Sequence, residues 1–250
     1  MIGKLTIHGL LIIVALALAP ADRARAAETE VDLELVLAVD VSRSIDEVEA
    51  ELQRRGYLEA LVDPRVVEAI KAGPKGRIAI TYVEWAGQHY QQTIIGWMLI
   101  DGPESAKVFA DKLAEAPRVS ESWTSISSAI LYCAALFNNN GYDGKRRVID
   151  VSGDGRNNAG PDMESSRAEV LGRGITINGL PIMSDRPNFG RPPDTELDIY
   201  YEREVIGGPG AFMVVARDFG DFARAIRTKL IKEISEIDAP ARGAADQAAR

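Results

Sequence analysis

The chain has very little cysteine and histidine, and it carries no basic stretch. Its 250 residues include one cysteine, Cys133, which cannot form a disulfide within the chain, so the fold must be stabilised by its core. Of the two histidines, only His89 lies beyond the first 26 residues, which leaves little to activate a thiol or hydroxyl nucleophile. A formal net charge of −8 without a basic stretch argues against a nucleic-acid partner.

The sequence has only one long apolar run, near its N-terminus. Lys4 precedes the run Gly9–Ala19, and Ala24-Arg25-Ala26 matches a small-residue cleavage site. This pattern predicts a secretory signal peptide over residues 1–26, and the run is too short for a comfortable membrane span. We therefore expect a bacterial periplasmic or secreted protein with no transmembrane span after cleavage. Its mature net charge would be −10, from 26 basic and 36 acidic residues. An uncleaved anchor is the alternative.

Beyond that run, short apolar segments alternate with helical patterns. Such alternation predicts one α/β domain over residues 31–235, with a three-layer, mostly parallel, doubly wound sheet covered by helices on both faces. Only four residues separate the predicted strands 77–85 and 90–97, so these two are expected to form an antiparallel hairpin. A last strand is predicted at 211–216, and the Ala-rich, polar residues 238–250 predict a disordered tail.

The most informative stretch is the segment D-V-S-R-S from Asp40 to Ser44. It joins a predicted buried strand, 33–40, to a helix that begins near Ile45. In an open parallel α/β sheet, ligands bind where strands end in this way. Asp40, Ser42 and Ser44 are spaced by two, so an extended backbone would point their oxygens the same way. Such oxygens suit a hard cation such as Mg²⁺.

These residues also have an ordinary structural explanation. Ser44 and Glu47 fit a capping box for the following helix, with Ser44 as the N-cap. Asp40 and Ser42 could simply satisfy loop amides. The stretch alone therefore leaves both interpretations open.

Two further segments are expected at the same edge of the sheet. Asp154 follows the predicted buried strand 147–152, and Thr124 stands just before a helix predicted over 125–137. The carboxyl ends of parallel strands share an edge, and the helices that cover the sheet start there, so two carboxylates and three hydroxyls are expected to meet. Thr124 as an N-cap alone and Asp154 as a turn residue alone remain the simpler alternatives.

The order of these elements resembles the metal-ion-dependent adhesion site of von Willebrand factor A domains: D-x-S-x-S, then a threonine, then Asp-Gly after a buried strand. The resemblance covers about residues 31–235 and includes the hairpin after the first helix. The export signal and the segment V-S-G-D-G at 151–155 resemble a bacterial branch of that superfamily of unknown function. The resemblance implies that Ser42, Ser44 and Thr124 supply hydroxyls to the metal, and that Asp40 and Asp154 bind it directly or through water.

The resemblance implies a binding protein rather than an enzyme. Mg²⁺, with Mn²⁺ or Ca²⁺ as alternatives, would hold an acidic group of a protein partner at an open coordination position. The family usually has small glycine-rich residues before the threonine, where this chain has Ser122 and Trp123, so Trp123 is expected to narrow the site or contact the ligand. The expected ligand-binding rim consists of Trp123, Arg156, Asn157 and four residues of the irregular loop 183–195, namely Arg186, Asn188, Phe189 and Arg191.

Two other functions remain open. A metal-dependent phosphatase with an aspartyl nucleophile would carry a second aspartate where this chain has Ser42. A serine hydrolase would need a G-x-S-x-G elbow and a well-placed histidine, whereas His89 is expected at the tip of the hairpin. A structural scaffold with a vestigial metal site would bind its partner through another surface.

Overall fold

The computed structural model describes residues 28–184 and 192–235. The predicted signal peptide over 1–26, the predicted tail over 238–250, and the four rim residues between 186 and 191 lie outside the described residues. Of the helices that are described, none is long and apolar enough to cross a membrane.

The centre of the fold is a five-stranded sheet. The strands in the described part of the chain are β1 Thr29–Val31, β2 Glu34–Asp40, β3 Ile78–Trp85, β4 Gln91–Ile100, β5 Tyr142–Gly144, β6 Arg147–Gly153 and β7 Thr176–Pro181. The order across the main sheet is β4-β3-β2-β6-β7, and β1 and β5 form a separate two-stranded parallel sheet. β2 pairs in parallel with β3 and β6, and β6 pairs in parallel with β7.

Strand β2 lies in the middle of this sheet and is buried along its whole length. Its alternate side chains pack into two separate cores, with Leu35, Leu37 and Val39 on one face of the sheet and Val36 and Ala38 on the other. A strand covered on both faces needs apolar side chains at nearly every position. This explains why the sequence from 33 to 39 is almost continuously apolar.

Helices cover both faces of the sheet. The helices are α1 Glu47–Leu61, α2 Pro64–Ala72, α3 Pro103–Glu115, α4 Ile126–Leu136, α5 Met163–Gly172, α6 Leu197–Tyr200 and α7 Phe222–Ser235. Helix α6 continues into a π-helical turn, Tyr201–Val205, and a 3₁₀ turn, Phe219–Asp221, precedes α7. Helices α1, α2, α3 and α7 contribute to the core on one face, and α4, α5, α6 and the π-helical turn contribute to the other. The three-layer, doubly wound fold predicted from the sequence is therefore confirmed.

The predicted hairpin is also present. Strands β3 and β4 are antiparallel, and the turn between them carries an exposed His89. The register of the pair shifts on both sides of Tyr82, so the strand pairing is irregular there. β4 is consequently the one antiparallel strand of the main sheet.

The last predicted strand, 211–216, is wrong. Residues 207–216 run along the free edge of β7 but make only isolated bridges, between Ile177 and Gly207, Gly179 and Met213, and Ile182 and Ala216. The side chain of Asn178 explains the interruption, because its Oδ1 accepts the backbone N–H of Phe212 at 2.9 Å. The Phe212 N–H is thus bonded to a side chain, whereas in a regular strand it would donate to a backbone carbonyl of β7.

Candidate metal centre

Two adjacent parallel strands bring the two aspartates to one edge of the sheet. Asp40 is the last residue of β2, and Asp154 follows directly after Gly153, the last residue of β6. Val39 pairs with Ser152 in the β2–β6 register, so Asp40 is level with Gly153. The predicted placement of both carboxylates at the carboxyl ends of neighbouring strands matches the structure.

A chain of hydrogen bonds connects four of the five predicted metal ligands. The backbone N–H of Ser42 donates to Asp40 Oδ1 at 2.7 Å. The hydroxyls of Ser42 and Ser44 are 2.8 Å apart, and the Ser44 hydroxyl donates to Asp154 Oδ1 at 2.6 Å. Because Ser44 has only one hydroxyl hydrogen, which Asp154 receives, Ser42 must be the donor in the serine–serine bond. The spacing of two residues in D-x-S-x-S therefore gathers the oxygens at one point.

Ser44 is not the N-cap of α1. The capping box uses Asp46, whose Oδ1 accepts the N–H of Glu49 at 2.9 Å, while the Glu49 side chain accepts the N–H of Asp46 at 3.0 Å. The capping explanation for Ser44 is thus wrong, since its hydroxyl bonds to a carboxylate 110 residues further along the chain.

Thr124 is buried beside the loop that follows β6. Its backbone N–H donates to Asn158 Oδ1 at 2.9 Å, and its carbonyl accepts the N–H of Asn158 at 2.8 Å. A Cβ atom at Gly155 would lie 3.6 Å from the Thr124 hydroxyl oxygen, so the missing side chain there leaves the hydroxyl next to the Asp154 loop. The N-cap of α4 is Ser125, whose side chain accepts from the N–H of Ser128. Thr124 is therefore not needed as a cap.

The two carboxylates lie in an environment that disfavours their charge. Asp40 is fully buried, and burial, reinforced by the charge of Asp154, raises its pKa well above the usual value. Burial also raises the pKa of Asp154 to about 6, with a further contribution from the charge of Glu49. Among the described residues, neither carboxylate has an ion pair with a lysine or arginine. A bound cation would remove this electrostatic cost.

Three buried polar atoms of this region have no hydrogen-bond partner in the described residues: Oδ2 of Asp40, Nε1 of Trp85 and the hydroxyl of Tyr201. Trp85 is paired directly with Asp40 in the β2–β3 register. Unpaired polar atoms are unusual in protein interiors and often mark a missing water or ion. The unpartnered Asp40 oxygen is the observation that best fits a divalent cation at this site.

The donor set narrows the kind of metal. Nowhere in the described ranges do three or more His, Cys, Asp or Glu side chains come together to hold an ion. The candidate centre therefore offers two carboxylates and three hydroxyls, and all of its donors are oxygens. Oxygen donors of this kind suit Mg²⁺, Mn²⁺ or Ca²⁺ better than the nitrogen and sulfur sites that zinc prefers.

The described rim residues differ in how free they are to meet a ligand. Trp123 is 67 % exposed and has a backbone φ of 70°, a region that non-glycine residues seldom adopt. Arg156 instead forms an ion pair with Asp194 at 2.5 Å and stacks over Tyr200. Asn157 Oδ1 accepts from the N–H of Ser127 at 3.0 Å. Trp123 is thus the rim residue that presents its side chain to solvent beside Thr124.

Sequence reasoning did not identify Tyr201 or Gly153 as part of this centre. Tyr201 is fully buried, and burial raises the pKa of its phenol well above the usual value, with the charges of Asp40 and Asp154 adding to the effect. The sequence around Tyr201 predicts only a helix of mixed polarity and does not indicate that the side chain contacts β6. The available sequence signal was the glycine at 153, at the end of a largely buried strand.

Comparisons with known proteins identify a family and a fold. The family described as "Protein of unknown function (DUF1194)" matches residues 30–238. No curated protein was found that matches the sequence.

Solved structures of low sequence identity share the fold. One is proximal thread matrix protein 1 from the mussel byssus, described with a zinc occupied MIDAS motif (TM-score 0.58, 14 % identity, covering 84 % of this chain and 48 % of that one). Another is the pilus adhesin SpaC from Lactobacillus rhamnosus GG (TM-score 0.59, 12 % identity, 84 % and 31 %). A third is a von Willebrand factor type A structure from Catenulispora acidiphila (TM-score 0.54, 10 % identity, 83 % and 43 %). The chain spans less than half the length of each of these proteins, and its fold is of the von Willebrand factor A type.

Proposed function

The chain belongs to the DUF1194 family of proteins of unknown function, and we propose that it is an exported binding protein that captures an acidic group of a protein partner through a divalent cation. The single observation that carries this proposal is the hydrogen-bonded chain from Asp40 through Ser42 and Ser44 to Asp154, with one Asp40 oxygen left unpartnered among the described residues. The similarity to a protein described with a MIDAS motif supports it.

The proposed roles follow from the chemistry of each side chain. The hydroxyls of Ser42, Ser44 and Thr124 are neutral ligands, and the carboxylates of Asp40 and Asp154 balance charge and orient the hydroxyls. When bound, the cation supplies a positively charged coordination position that an anionic oxygen of a partner can occupy. Mg²⁺ is the expected metal because every donor is an oxygen. The zinc described for the mussel protein makes the metal's identity part of the test.

The site suits binding better than catalysis. A hydrolase needs a base or nucleophile within hydrogen-bonding reach of its substrate. His89, the only histidine in the described residues, is exposed in the β3–β4 turn, and Cys133 is buried on the inner face of α4. Burial raises the pKa of the Cys133 thiol, so it is a poor nucleophile. Neither His89 nor Cys133 is therefore placed to act at the site.

Trp123 supplies the second part of the proposed binding surface. It stands directly before Thr124, is largely exposed, and is held in a sparsely populated backbone conformation. Such strain is tolerated mainly where the surrounding structure enforces it, often at ligand contacts. Exposed aromatic residues of this kind commonly anchor protein partners. We therefore infer a partner that presents a carboxylate with apolar surface beside it.

The test is capture of a partner from envelope extract by the mature protein. Capture should occur in Mg²⁺, disappear in chelator and return when Mg²⁺ is restored. The double variant Ser42→Ala, Ser44→Ala should not capture the partner. Ser105→Ala should capture it, because that hydroxyl bonds only to Asp101 and Gly102, at the start of α3. Capture that is indifferent to chelator and to both variants would refute the proposal and favour a scaffold that binds through another surface.

A further inference from the structure

The side chain of Tyr201 packs over β7 and β6, with its hydroxyl near the candidate metal centre. It is fully buried and opens the π-helical turn Tyr201–Val205. A Cβ atom built on Gly179 of β7 would lie 2.8 Å from Cδ1 of the Tyr201 ring, and one built on Gly153 of β6 would lie 3.0 Å from its hydroxyl. The ring therefore occupies space that two strand glycines leave open, and it reaches from β7 toward β2.

The same point above Gly153 adjoins Asp40. The Cβ position of Gly153 lies 2.9 Å from Asp40 Oδ2, so the phenol oxygen and this carboxylate oxygen both border one small space. Neither oxygen has a hydrogen-bond partner among the described residues. A phenol is a donor and a carboxylate is an acceptor, so the two atoms are chemically complementary. The two oxygens are not directly bonded, but their separation cannot exceed the sum of these two distances, so one bridging water can connect them.

We propose that Tyr201 is a positioning residue of the metal centre, whose hydroxyl donates to Asp40 Oδ2 through one water. This inference rests on the proposed function. The Ser42 amide already fixes Oδ1 of Asp40 at 2.7 Å, so a second donor on Oδ2 would hold the carboxylate in a single orientation. Groups that orient metal-binding carboxylates in this way strengthen metal binding without touching the ion.

A purely structural tyrosine would be arranged differently. Tyr57, also fully buried, places its hydroxyl 3.0 Å from Ser152 Oγ and is satisfied within the protein. Tyr201 instead lies over Gly179 in the interior of β7, where glycine is disfavoured, and over Gly153 at the end of β6. It also sits in a π-helical turn, a feature frequent at functional sites. A phenol that orients the Asp40 carboxylate explains both features.

The experiment compares Tyr201→Phe with Tyr57→Phe, which removes the hydroxyl of another fully buried tyrosine. We expect Tyr201→Phe to weaken Mg²⁺ binding by about 10- to 100-fold in calorimetric titrations, and Tyr57→Phe to leave it unchanged. Near-ultraviolet circular dichroism in chelator checks that both variants are folded. Unchanged affinity in Tyr201→Phe, with normal binding by the parent protein, would overturn this inference alone.

A metal-free measurement tests the contact itself. In chelator, the thermal shifts of Tyr201→Phe and Asp40→Asn should not add up in the double variant, because the two side chains interact. The pair Tyr57→Phe and Asp40→Asn should be additive. Additive shifts for Tyr201 and Asp40 would show that they make no contact and would refute the inference. Absence of Mg²⁺ binding by the parent protein would instead refute the proposed function, and the positioning role with it.

Discussion

Replacing Asp40 with asparagine is expected to stabilise the metal-free protein. Asp40 is fully buried, Oδ1 accepts from the Ser42 amide at 2.7 Å, and Oδ2 has no partner in the described ranges. Asparagine keeps an acceptor for the Ser42 amide and removes the buried charge together with its repulsion from Asp154. A buried charge without a partner costs several kcal/mol, whereas the neutral amide of asparagine costs about 1–3 kcal/mol in the same place. We therefore expect a gain of about 2 kcal/mol in the free energy of unfolding.

Mg²⁺ is expected to raise the free energy of unfolding of the parent protein and not that of Asp40→Asn. A ligand that binds only the folded state adds about 2.7 kcal/mol at a free concentration of 100 times its Kd. The parent protein should therefore become the more stable of the two at saturating Mg²⁺, although it is the less stable in chelator. Urea unfolding at neutral pH, in chelator and in Mg²⁺, measures both free energies.

Asp32 provides a matched control for this experiment. It is also buried, but both of its oxygens accept from the backbone N–H of Lys75 at 3.0 Å. Asp32→Asn should therefore lose about 1 kcal/mol and keep the response to Mg²⁺. The reasoning would be refuted if Asp40→Asn destabilised the metal-free protein as Asp32→Asn does, or if Mg²⁺ shifted both variants equally.

Three further predictions concern the core and export. Lys229 Nζ lies 2.6 Å from carboxylate oxygens of both Asp150 and Glu233 in the core. Lys229→Met should therefore lower the free energy of unfolding, measured in urea, by about 3–5 kcal/mol. Lys112→Met, on the exposed side of α3, should change it little. Burial and the charge of Glu233 raise the pKa of Asp150 to about 7, so its protonation stabilises the fold fully below about pH 4 and this contribution is lost as pH rises through 7. The stability difference between the parent and Asp150→Asn should follow that pH course, and a flat difference would contradict it. Mass spectrometry of the exported protein should find Ala27 as the first residue, and a product retaining residues 10–19 would mean an anchored protein.

The sheet was predictable because its parallel strands are buried on both faces. From 33 to 39 the sequence is almost continuously apolar, and only a central parallel strand with helices on both sides requires this. The carboxyl end of such a strand is then fixed, and so are the positions of Asp40 and, by the same argument, Asp154. Placement at an edge follows from topology alone, without knowledge of side-chain contacts.

Local patterns were misleading where a distant group competes for the same atom. Ser44-Ile45-Asp46-Glu47 fits a capping box as written, but Asp46 and Glu49 form the box, and Ser44 bonds to Asp154. The two arrangements differ by a contact across 110 residues, which no local pattern contains. The strand expected at 211–216 failed for the same reason, because the Asn178 side chain takes the Phe212 amide.

Tyr201 could not be recognised from its surroundings in the sequence. Its role depends on the absence of side chains at Gly153 and Gly179, which belong to other strands. A glycine in a strand interior indicates a close approach by something else, but it does not identify the approaching group. The candidate contact between Tyr201 and Asp40 therefore emerges only once the strands are paired.

The most direct test of the metal centre is a calorimetric titration of the mature protein with Mg²⁺, beside the Ser42→Ala, Ser44→Ala double variant. The D-x-S-x-S hydroxyls lie at the centre of the hydrogen-bonded chain, so their removal should abolish binding while the fold persists. We expect saturable one-site binding by the parent protein, accompanied by a rise in melting temperature, and neither effect in the double variant. No heat and no thermal shift with Mg²⁺ or Mn²⁺ in the parent protein, or equal binding by both proteins, would contradict the existence of a metal-ion-dependent adhesion site.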